Sequence, residues 1–170
     1  PAGGRDGPLA LRRVRGGGPQ ALLLAAALAS AGNAAAALRP SGPSADTVEV
    51  EVVTVTLAGR FGSPVVVIRE KRSTRALPIY VGPNEAAAIW QRLSRDTSPR
   101  PLTHDLIKGL LDASDVALER AEITGERNRT YVATLQLRVR GRTVSVDSRP
   151  SDAIALALRC GRPIFAARAL

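Results

Sequence analysis

Residues 147–159 read DSRPSDAIALALR, and this stretch joins a predicted strand to a predicted helix. The alternation of residues 142–147 predicts the strand. Pro150 suits the first turn of a helix, where its missing N–H is not needed. Ser151 and Asp152 are residue types that cap the free amides of such a turn. The apolar residues that follow predict the last helix of the chain.

The same junction concentrates charge. Asp147, Arg149, Ser151 and Asp152 bring two carboxylates, a guanidinium and a hydroxyl into six residues. A helix start carries partial positive charge and free N–H groups, which suit phosphate. The alternative is structural, since Ser and Asp are ordinary caps and Arg149 can simply pair with Asp152. This stretch alone favours the structural interpretation.

A second helix start, residues 100–106, reads RPLTHDL and repeats this chemistry. Thr103 is the predicted N-cap, so His104 and Asp105 fall in the first turn. His104 is the only histidine of the chain. The positive end of a helix disfavours imidazolium and leaves a neutral base or metal ligand, whereas the bland alternative is a solvated side chain. Helical spacing further predicts a buried stripe of Leu106, Ile107, Leu110 and Leu111.

The rest of the domain reads as strands and one more helix. Alternating valines from residue 48 predict a first strand, and a change of phase near Val53 predicts a bulge. The fold class is therefore α+β, with a mixed, largely antiparallel sheet and about three helices in a single domain. The other predicted strands are 64–68, 75–81, 116–123, 130–139 and 142–147, a helix covers about 84–93, and 163–167 is a closing strand or a short tail.

Residues 1–46 differ from the remainder. Paired arginines precede an Ala-rich apolar run at 21–31, and a Pro/Gly/Ser linker follows at 40–44. We interpret this region as a low-complexity leader and linker, with an organellar (plastid) or export targeting role as the predicted function. The apolar run is too short for a stable membrane span.

The composition indicates an aliphatic core and a basic chain. Aromatic residues make up 3% of the chain, and the net charge is +9. A basic balance is typical of polyanion binders, but nearly all the basic residues are Arg, which a GC-rich genome also produces. Cys160 is the single cysteine, so an internal disulfide is excluded, and no Cys/His cluster supports structural zinc.

Three blocks in this order resemble the bifunctional nuclease domain family. They read LPIYVGPNEAAAI at 77–89, RPLTHDL at 100–106 and RPSDAIALALR at 149–159. The resemblance extends over roughly residues 47–167 and assigns 47–170 to a bifunctional nuclease-like domain. It implies an α+β fold and a nuclease that hydrolyses phosphodiester bonds of RNA and DNA.

Such chemistry needs an activated water, stabilisation of phosphorane charge and a protonated leaving oxygen. The expected divalent metal is Mg²⁺ or Mn²⁺, and no organic cofactor is expected because no P-loop or dinucleotide glycine pattern is present. The predicted catalytic residues are His104, Asp105, Asp147 and Asp152; the predicted phosphate-binding residues are Arg100, Arg149 and Ser151; the predicted metal ligands are Glu85, Asp147 and Asp152.

The expected partners are RNA and DNA, with a homo-oligomer formed through open sheet edges. A non-catalytic nucleic-acid- or protein-binding regulatory module is the alternative. Buried arginines paired with Asp105, Asp147 or Asp152 would favour that alternative. An open cleft with unpaired carboxylates would favour the enzyme.

Overall fold

The computed structural model describes residues 46–170. The leader and linker, and the targeting role predicted from them, lie outside the described residues apart from Asp46. The elements in chain order are β1 (Thr47–Ala58), β2 (Ser63–Glu70), β3 (Ala76–Tyr80), α1 (Pro83–Leu93), α2 (Thr103–Ala113), β4 (Val116–Arg127), β5 (Thr130–Val139), β6 (Arg142–Ser148), α3 (Pro150–Cys160) and β7 (Ile164–Ala167).

The seven strands form one sheet in the order β3-β2-β1-β7-β4-β5-β6. Strands β1 to β3 form the predicted antiparallel meander, and β4 to β6 form a second one. The short β7 joins the two, antiparallel to β1 and parallel to β4. The register of β1 and β2 shifts between Val52 and Thr54, which confirms the predicted bulge. The α+β class with three helices and a mixed, mostly antiparallel sheet is confirmed.

Helix α3 lies at the centre of the helical layer. It contacts both α1 and α2 and packs on β4 and β5. Alternating alanines keep its surface narrow, so the helix approaches the sheet closely, and Ile154 is fully buried. The aliphatic core confirms the expectation from composition. Its fully buried large side chains are Val66, Ile68, Ile89, Ile123 and Ile154. Within residues 46–170, no helix has the length and apolar character needed to cross a bilayer.

The apolar stripe predicted for α2 is not buried, so that prediction is wrong for most of its members. Leu106 is 57% exposed and Leu110 is 58% exposed, while Ile107 is also exposed and Leu111 is half-buried. The only buried residue of the helix is His104. Helix α2 therefore contacts the interior through His104 and Leu111, while Leu106 and Leu110 face outward.

The helix caps also differ from the prediction. Backbone geometry makes Leu102 the N-cap of α2, so the prediction of Thr103 is wrong, and Thr103 is the first residue of the helix. The N-cap of α3 is Arg149, and neither Ser151 nor Asp152 caps α3 with its side chain. Asp105 and Asp152 are therefore each the third residue of their helix. Asp105 accepts from the backbone N–H of Leu102 as part of a capping box, whereas Asp152 makes no cap and is free to reach a neighbouring helix.

Candidate active site

The first turns of all three helices converge on one cleft. The cleft has a volume of about 910 Å³ and opens between α1, the loop before α2 and the start of α3. Among the predicted site residues, its walls contain Glu85, His104, Arg149 and Asp152. Residues separated by up to 67 positions in sequence thus meet because α3 lies against both other helices.

Arg149 lies between two carboxylates at the cleft. Its Nε donates to Asp152 Oδ2 at 2.6 Å, and an Nη donates to Asp152 Oδ1 at 3.0 Å. Its other Nη pairs with Glu85 Oε1 at 2.9 Å. The Arg149 side chain is nevertheless 65% exposed. Since a guanidinium carries five N–H donors, the remaining ones are free to reach an anion.

Gly82 makes room for Glu85. A Cβ atom on residue 82 would overlap Glu85 Oε2. The backbone of Gly82 has an ordinary extended conformation, with φ of −70°. The absence of a Cβ at residue 82 therefore leaves space for the present position of the Glu85 carboxylate, and φ does not demand a glycine.

Asp152 also contacts the histidine. His104 Nε2 lies 3.3 Å from Asp152 Oδ1, and His104 is 8% exposed. Burial raises the pKa of Asp152, but hydrogen bonds from Arg149 and His104 and their charges outweigh it, so the pKa lies below its ordinary value. An ionised carboxylate only accepts hydrogen bonds, so His104 Nε2 carries the hydrogen. In the neutral ring, Nδ1 then holds the free lone pair.

Asp105 lies in the same first turn but faces a different partner. Its Oδ1 accepts from Arg159 Nε at 2.7 Å, and its Oδ2 accepts from the Leu102 N–H at 3.0 Å. Burial raises the pKa of Asp105. These hydrogen bonds and the charge of Arg159 outweigh burial, so the pKa lies below its ordinary value. Asp105 is absent from the walls of the cleft.

Arg159 ties the three helices together behind His104. Its side chain is 4% exposed, and its Nη1 donates to the carbonyls of Ala88 and Ala155, each at 3.2 Å. Sequence reasoning missed this residue. Its spacing was the available signal, because positions 152 and 159 are two helical turns apart and share one face of α3.

Other predicted residues lie elsewhere. Arg100 is exposed in the loop before α2, with no ion pair to any residue from 46 to 170. Ser151 is 6% exposed and lines a separate pocket that also includes Tyr80. Asp147 is exposed on β6, where it aligns with Thr134 of β5.

Strand alternation explains the position of Asp147. Thr143, Ser145 and Asp147 share one face of β6. On that face Ser145 donates to Gln136 at 2.7 Å, and Thr143 donates to Glu119 at 3.1 Å. Leu135 and Leu137 of β5 instead pack in the core beneath the helices. Asp147 therefore points to the side of the sheet away from Asp152.

The predicted metal ligands do not form a cluster. Within the part of the chain that the structure describes, no group of three or more His, Cys, Asp and Glu side chains is arranged to hold a metal ion. Glu85 and Asp152 approach each other, but the guanidinium of Arg149 lies between them. Asp147 is on the other side of the sheet. The residues present therefore do not match the metal set expected from the sequence.

The family model of the bifunctional nuclease domain matches residues 66–170. The chain belongs to this family. An uncharacterized protein of Mycobacterium tuberculosis is 39% identical over 122 residues, which are 72% of this chain and 73% of that protein.

Plant relatives with nuclease names are more distant. Bifunctional nuclease 1 of Oryza sativa subsp. japonica is 31% identical over 103 residues, covering 59% of this chain and 31% of the rice protein. Bifunctional nuclease 2 of the same rice is 30% identical over 111 residues, covering 63% of this chain and 34% of the rice protein. The similarity to the rice proteins thus involves about a third of their length.

Proposed function

We propose that the protein is a nuclease that hydrolyses phosphodiester bonds of RNA and DNA in the cleft between the three helix starts. The observation that carries the proposal is the hydrogen bond from His104 to the ionised Asp152 at the wall of this cleft, beside the exposed guanidinium of Arg149. Membership of the bifunctional nuclease domain family supports it.

His104 is the proposed general base. With Nε2–H fixed on Asp152, Nδ1 carries the lone pair that would take a proton from water. Because DNA has no 2′-hydroxyl, an enzyme that cleaves both nucleic acids cannot depend on that group as its nucleophile, and water is the nucleophile that we assign. The carboxylate of Asp152 would hold the imidazole in one tautomer and stabilise the imidazolium that forms, which offsets the unfavourable helix end.

Arg149 is the proposed phosphate-binding residue. Glu85 and Asp152 hold its guanidinium from two sides, so few degrees of freedom are lost when phosphate binds. Its remaining N–H groups would stabilise the negative charge that develops on the phosphoryl oxygens.

A dependence on Mg²⁺ or Mn²⁺ stays a prediction of the sequence. Because Glu85, Asp147 and Asp152 do not converge, we assign no ligand set and no step of the reaction to a metal. Initial rates with EDTA, with Mg²⁺ and with Mn²⁺ test it directly, and a rate that is insensitive to all three would contradict it.

The pairing of the carboxylates favours a second candidate. Asp152 and Asp105 both have arginine partners, as a non-catalytic binding module would require. In that case the cleft binds nucleic acid or a protein without cleaving it. The exposure of Arg149 fits both candidates, because each needs a group that contacts phosphate, and cleavage itself separates them.

Labelled single-stranded RNA and DNA of one sequence, incubated with the purified chain, separate the two candidates. The nuclease proposal expects cleavage of both strands, lost in His104→Ala and kept in Lys108→Ala, an exposed position of the same helix outside this cleft. Cleavage that persists in His104→Ala purified identically would contradict the role of His104 as the base, and activity that does not follow the chain through a further column would identify a contaminant. Binding without cleavage would support the regulatory module.

We also propose self-association through the sheet edges. Strands β3 and β6 are the outer strands of the sheet that residues 46–170 form. An exposed strand edge offers free backbone groups to a second copy. Sedimentation at micromolar concentration should reveal a dimer or larger species, and a monomer at every concentration would oppose this proposal.

A further inference from the structure

Trp90 is an exposed aromatic residue at the cleft that the proposed chemistry does not use. It is the only tryptophan of the chain and is 54% exposed. The preceding residue, Ile89, is fully buried, so the helix turns the side chain of Trp90 away from the core, and Trp90 lines the cleft. Burial of an aromatic ring is strongly favourable. A half-exposed ring in a cleft thus offers area for a ligand to cover.

Apolar side chains form part of the cleft around Trp90, although Gln91 and Asp96 also line it. Ala87 and Ala88 line the same cleft from α1, and their small side chains leave space above the helix. Leu102 and Ile107 line it from the opposite side, with 41% and 37% of their surfaces exposed. This part of the cleft therefore matches a planar, weakly polar group.

Another part of the same cleft contains Arg149, whose guanidinium lies between the carboxylates of Glu85 and Asp152. The N–H groups of Arg149 that these carboxylates do not use are the donors that this part of the cleft offers to an anion. A ligand that fits both parts has a flat ring and an anionic group on one short skeleton, as a nucleotide does. The volume of about 910 Å³ is sufficient for such a group. An uncharged protein surface would leave these donors of Arg149 unmatched.

We propose that Trp90 forms a stacking subsite for one unpaired base of single-stranded RNA or DNA, next to the phosphate held by Arg149. This proposal rests on the proposed nuclease function and adds the strandedness of its substrate. In a duplex the bases stack on each other and their faces are covered, so a ring such as that of Trp90 reaches only an unpaired or extruded base.

Because the chain has one tryptophan, tryptophan fluorescence, excited selectively over the two tyrosines, reports on Trp90 alone. We would titrate the full chain with single-stranded oligo-dT of about ten nucleotides, with an abasic strand of the same length, and with the duplex of the oligo-dT. Gels would verify that the strands stay intact. The expected result is quenching by oligo-dT and weak or no quenching by the other two. Equal quenching by the abasic strand or the duplex would overturn the stacking subsite.

Variants test the same point by affinity for labelled oligo-dT. Trp90→Ala should weaken binding by about 5- to 150-fold, the range measured for loss of one stacked base, while Trp90→Phe should keep most of the affinity. The matched control is Phe61→Ala, which removes a ring that is 92% exposed in the turn between β1 and β2. Circular dichroism melts would verify the fold. Unchanged binding in Trp90→Ala, or equal losses in Trp90→Ala and Phe61→Ala, would refute the subsite.

Cleavage measured on the same samples separates this proposal from the nuclease itself. Quenching by oligo-dT without hydrolysis would keep the subsite and reject the nuclease. Hydrolysis without quenching, and with an unchanged KM in Trp90→Ala, would keep the nuclease and reject the subsite. A fluorescence shift that follows protein concentration and ignores oligonucleotide would indicate that a second copy covers Trp90, which also rejects it.

Discussion

Two arginine–aspartate pairs lie close to His104, which contacts Asp152 and is the neighbour of Asp105 in sequence. The two pairs have the same chemistry but differ in the exposure of the arginine. In one pair Arg149 is 65% exposed and faces the cleft. In the other pair Arg159 is 4% exposed. Arg149 keeps N–H groups free for a ligand, whereas Arg159 donates to the carbonyls of Ala88 and Ala155. The accessibility of the arginine, rather than the ion pair, therefore distinguishes a binding role from a structural one.

The difference shows what the two similar sequences at the helix starts encode. Asp105 and Asp152 are both third residues of their helices, but they have different partners. Asp152 pairs with Arg149, at the start of its own helix. Asp105 of α2 instead pairs with Arg159, which lies on α3 two turns after Asp152. Arg100, which precedes Asp105 in the same order, remains in the loop. A shared order of residue types thus does not produce a shared site.

The largest expected effect separates chemistry from packing at Asp152. Asp152→Asn should lower the cleavage rate by about 10²- to 10⁴-fold, because the amide no longer fixes the tautomer of His104 or stabilises its charge. Since Asp152 and its partner are partly solvated, the free energy of unfolding should fall by only about 1 kcal/mol or less. Initial rates and urea unfolding measure the two quantities.

The control for this prediction is Asp112→Asn. Asp112 is 61% exposed on α2 and lies outside this cleft, so neither quantity should change. A strong loss of stability in Asp152→Asn, with cleavage preserved in the folded fraction, would assign Asp152 to the structural class of Asp105 and remove the distinction between the two pairs.

The next largest effect concerns stability. Arg159→Met should lower the free energy of unfolding by about 3 kcal/mol, because it removes a buried cation and leaves the Asp105 carboxylate and the Ala88 carbonyl without this partner. Arg149→Met should leave the urea midpoint close to that of the wild type and abolish most cleavage. Equal loss of stability in the two methionine variants would show that exposure does not divide the pairs.

Much of the fold could be predicted because local patterns determine it. The alternating valines of β1 and the phase change near Val53 predict the strand and its bulge, and the apolar run after Pro150 predicts α3. The central position of β7 could not be predicted, because pairing between distant strands depends on packing and leaves no mark in four apolar residues. The exposure of Leu106 and Leu110 could not be predicted for a related reason. Helical spacing identifies the apolar flank of a helix but does not show whether another element covers it.

The candidate site could be predicted in part. The sequence named His104, Arg149, Asp152 and Glu85, which the structure brings to one cleft, but their roles stay predictions. Asp147 was named because it is close to Asp152 in sequence, whereas strand alternation directs it to the other side of the sheet. Arg159 and Trp90 were missed, because their positions matter only once α1, α2 and α3 meet.

A smaller effect should appear in the pH dependence of stability. The pKa of Asp105 is lower in the folded chain than its ordinary value of 3.8. Its contribution to stability is therefore present above that value and is lost as pH falls through the lower folded pKa. Asp105→Asn should cost about 1 kcal/mol near pH 7, less than Arg159→Met, because the amide oxygen can still accept from the buried Arg159, and the cost should shrink as pH falls through the folded pKa of Asp105.

Urea unfolding of the wild type and Asp105→Asn at several pH values tests this. The comparison with the wild type is needed because the pKa of Asp152 is also lowered, so the loss of its charge in acid also changes stability. A difference between the two proteins that stays constant from neutral to acidic pH would show that the charge of Asp105 has no part in stability.

The smallest effect is expected from Gly82→Ala, which changes the support of Arg149 without touching its atoms. The new Cβ would displace the Glu85 carboxylate, and Arg149 would then be held by Asp152 alone. Cleavage should fall by roughly two- to fivefold, as expected for the loss of one exposed ion pair. The urea midpoint should stay near the wild type, because residue 82 has an ordinary φ and the flexible Glu85 side chain can move into solvent.

Glu85→Gln is the matched variant, since it weakens the same contact and leaves the backbone unchanged. If Gly82→Ala lowers the rate and Glu85→Gln does not, Glu85 does not position Arg149. In that case Asp152 alone would hold the guanidinium of Arg149.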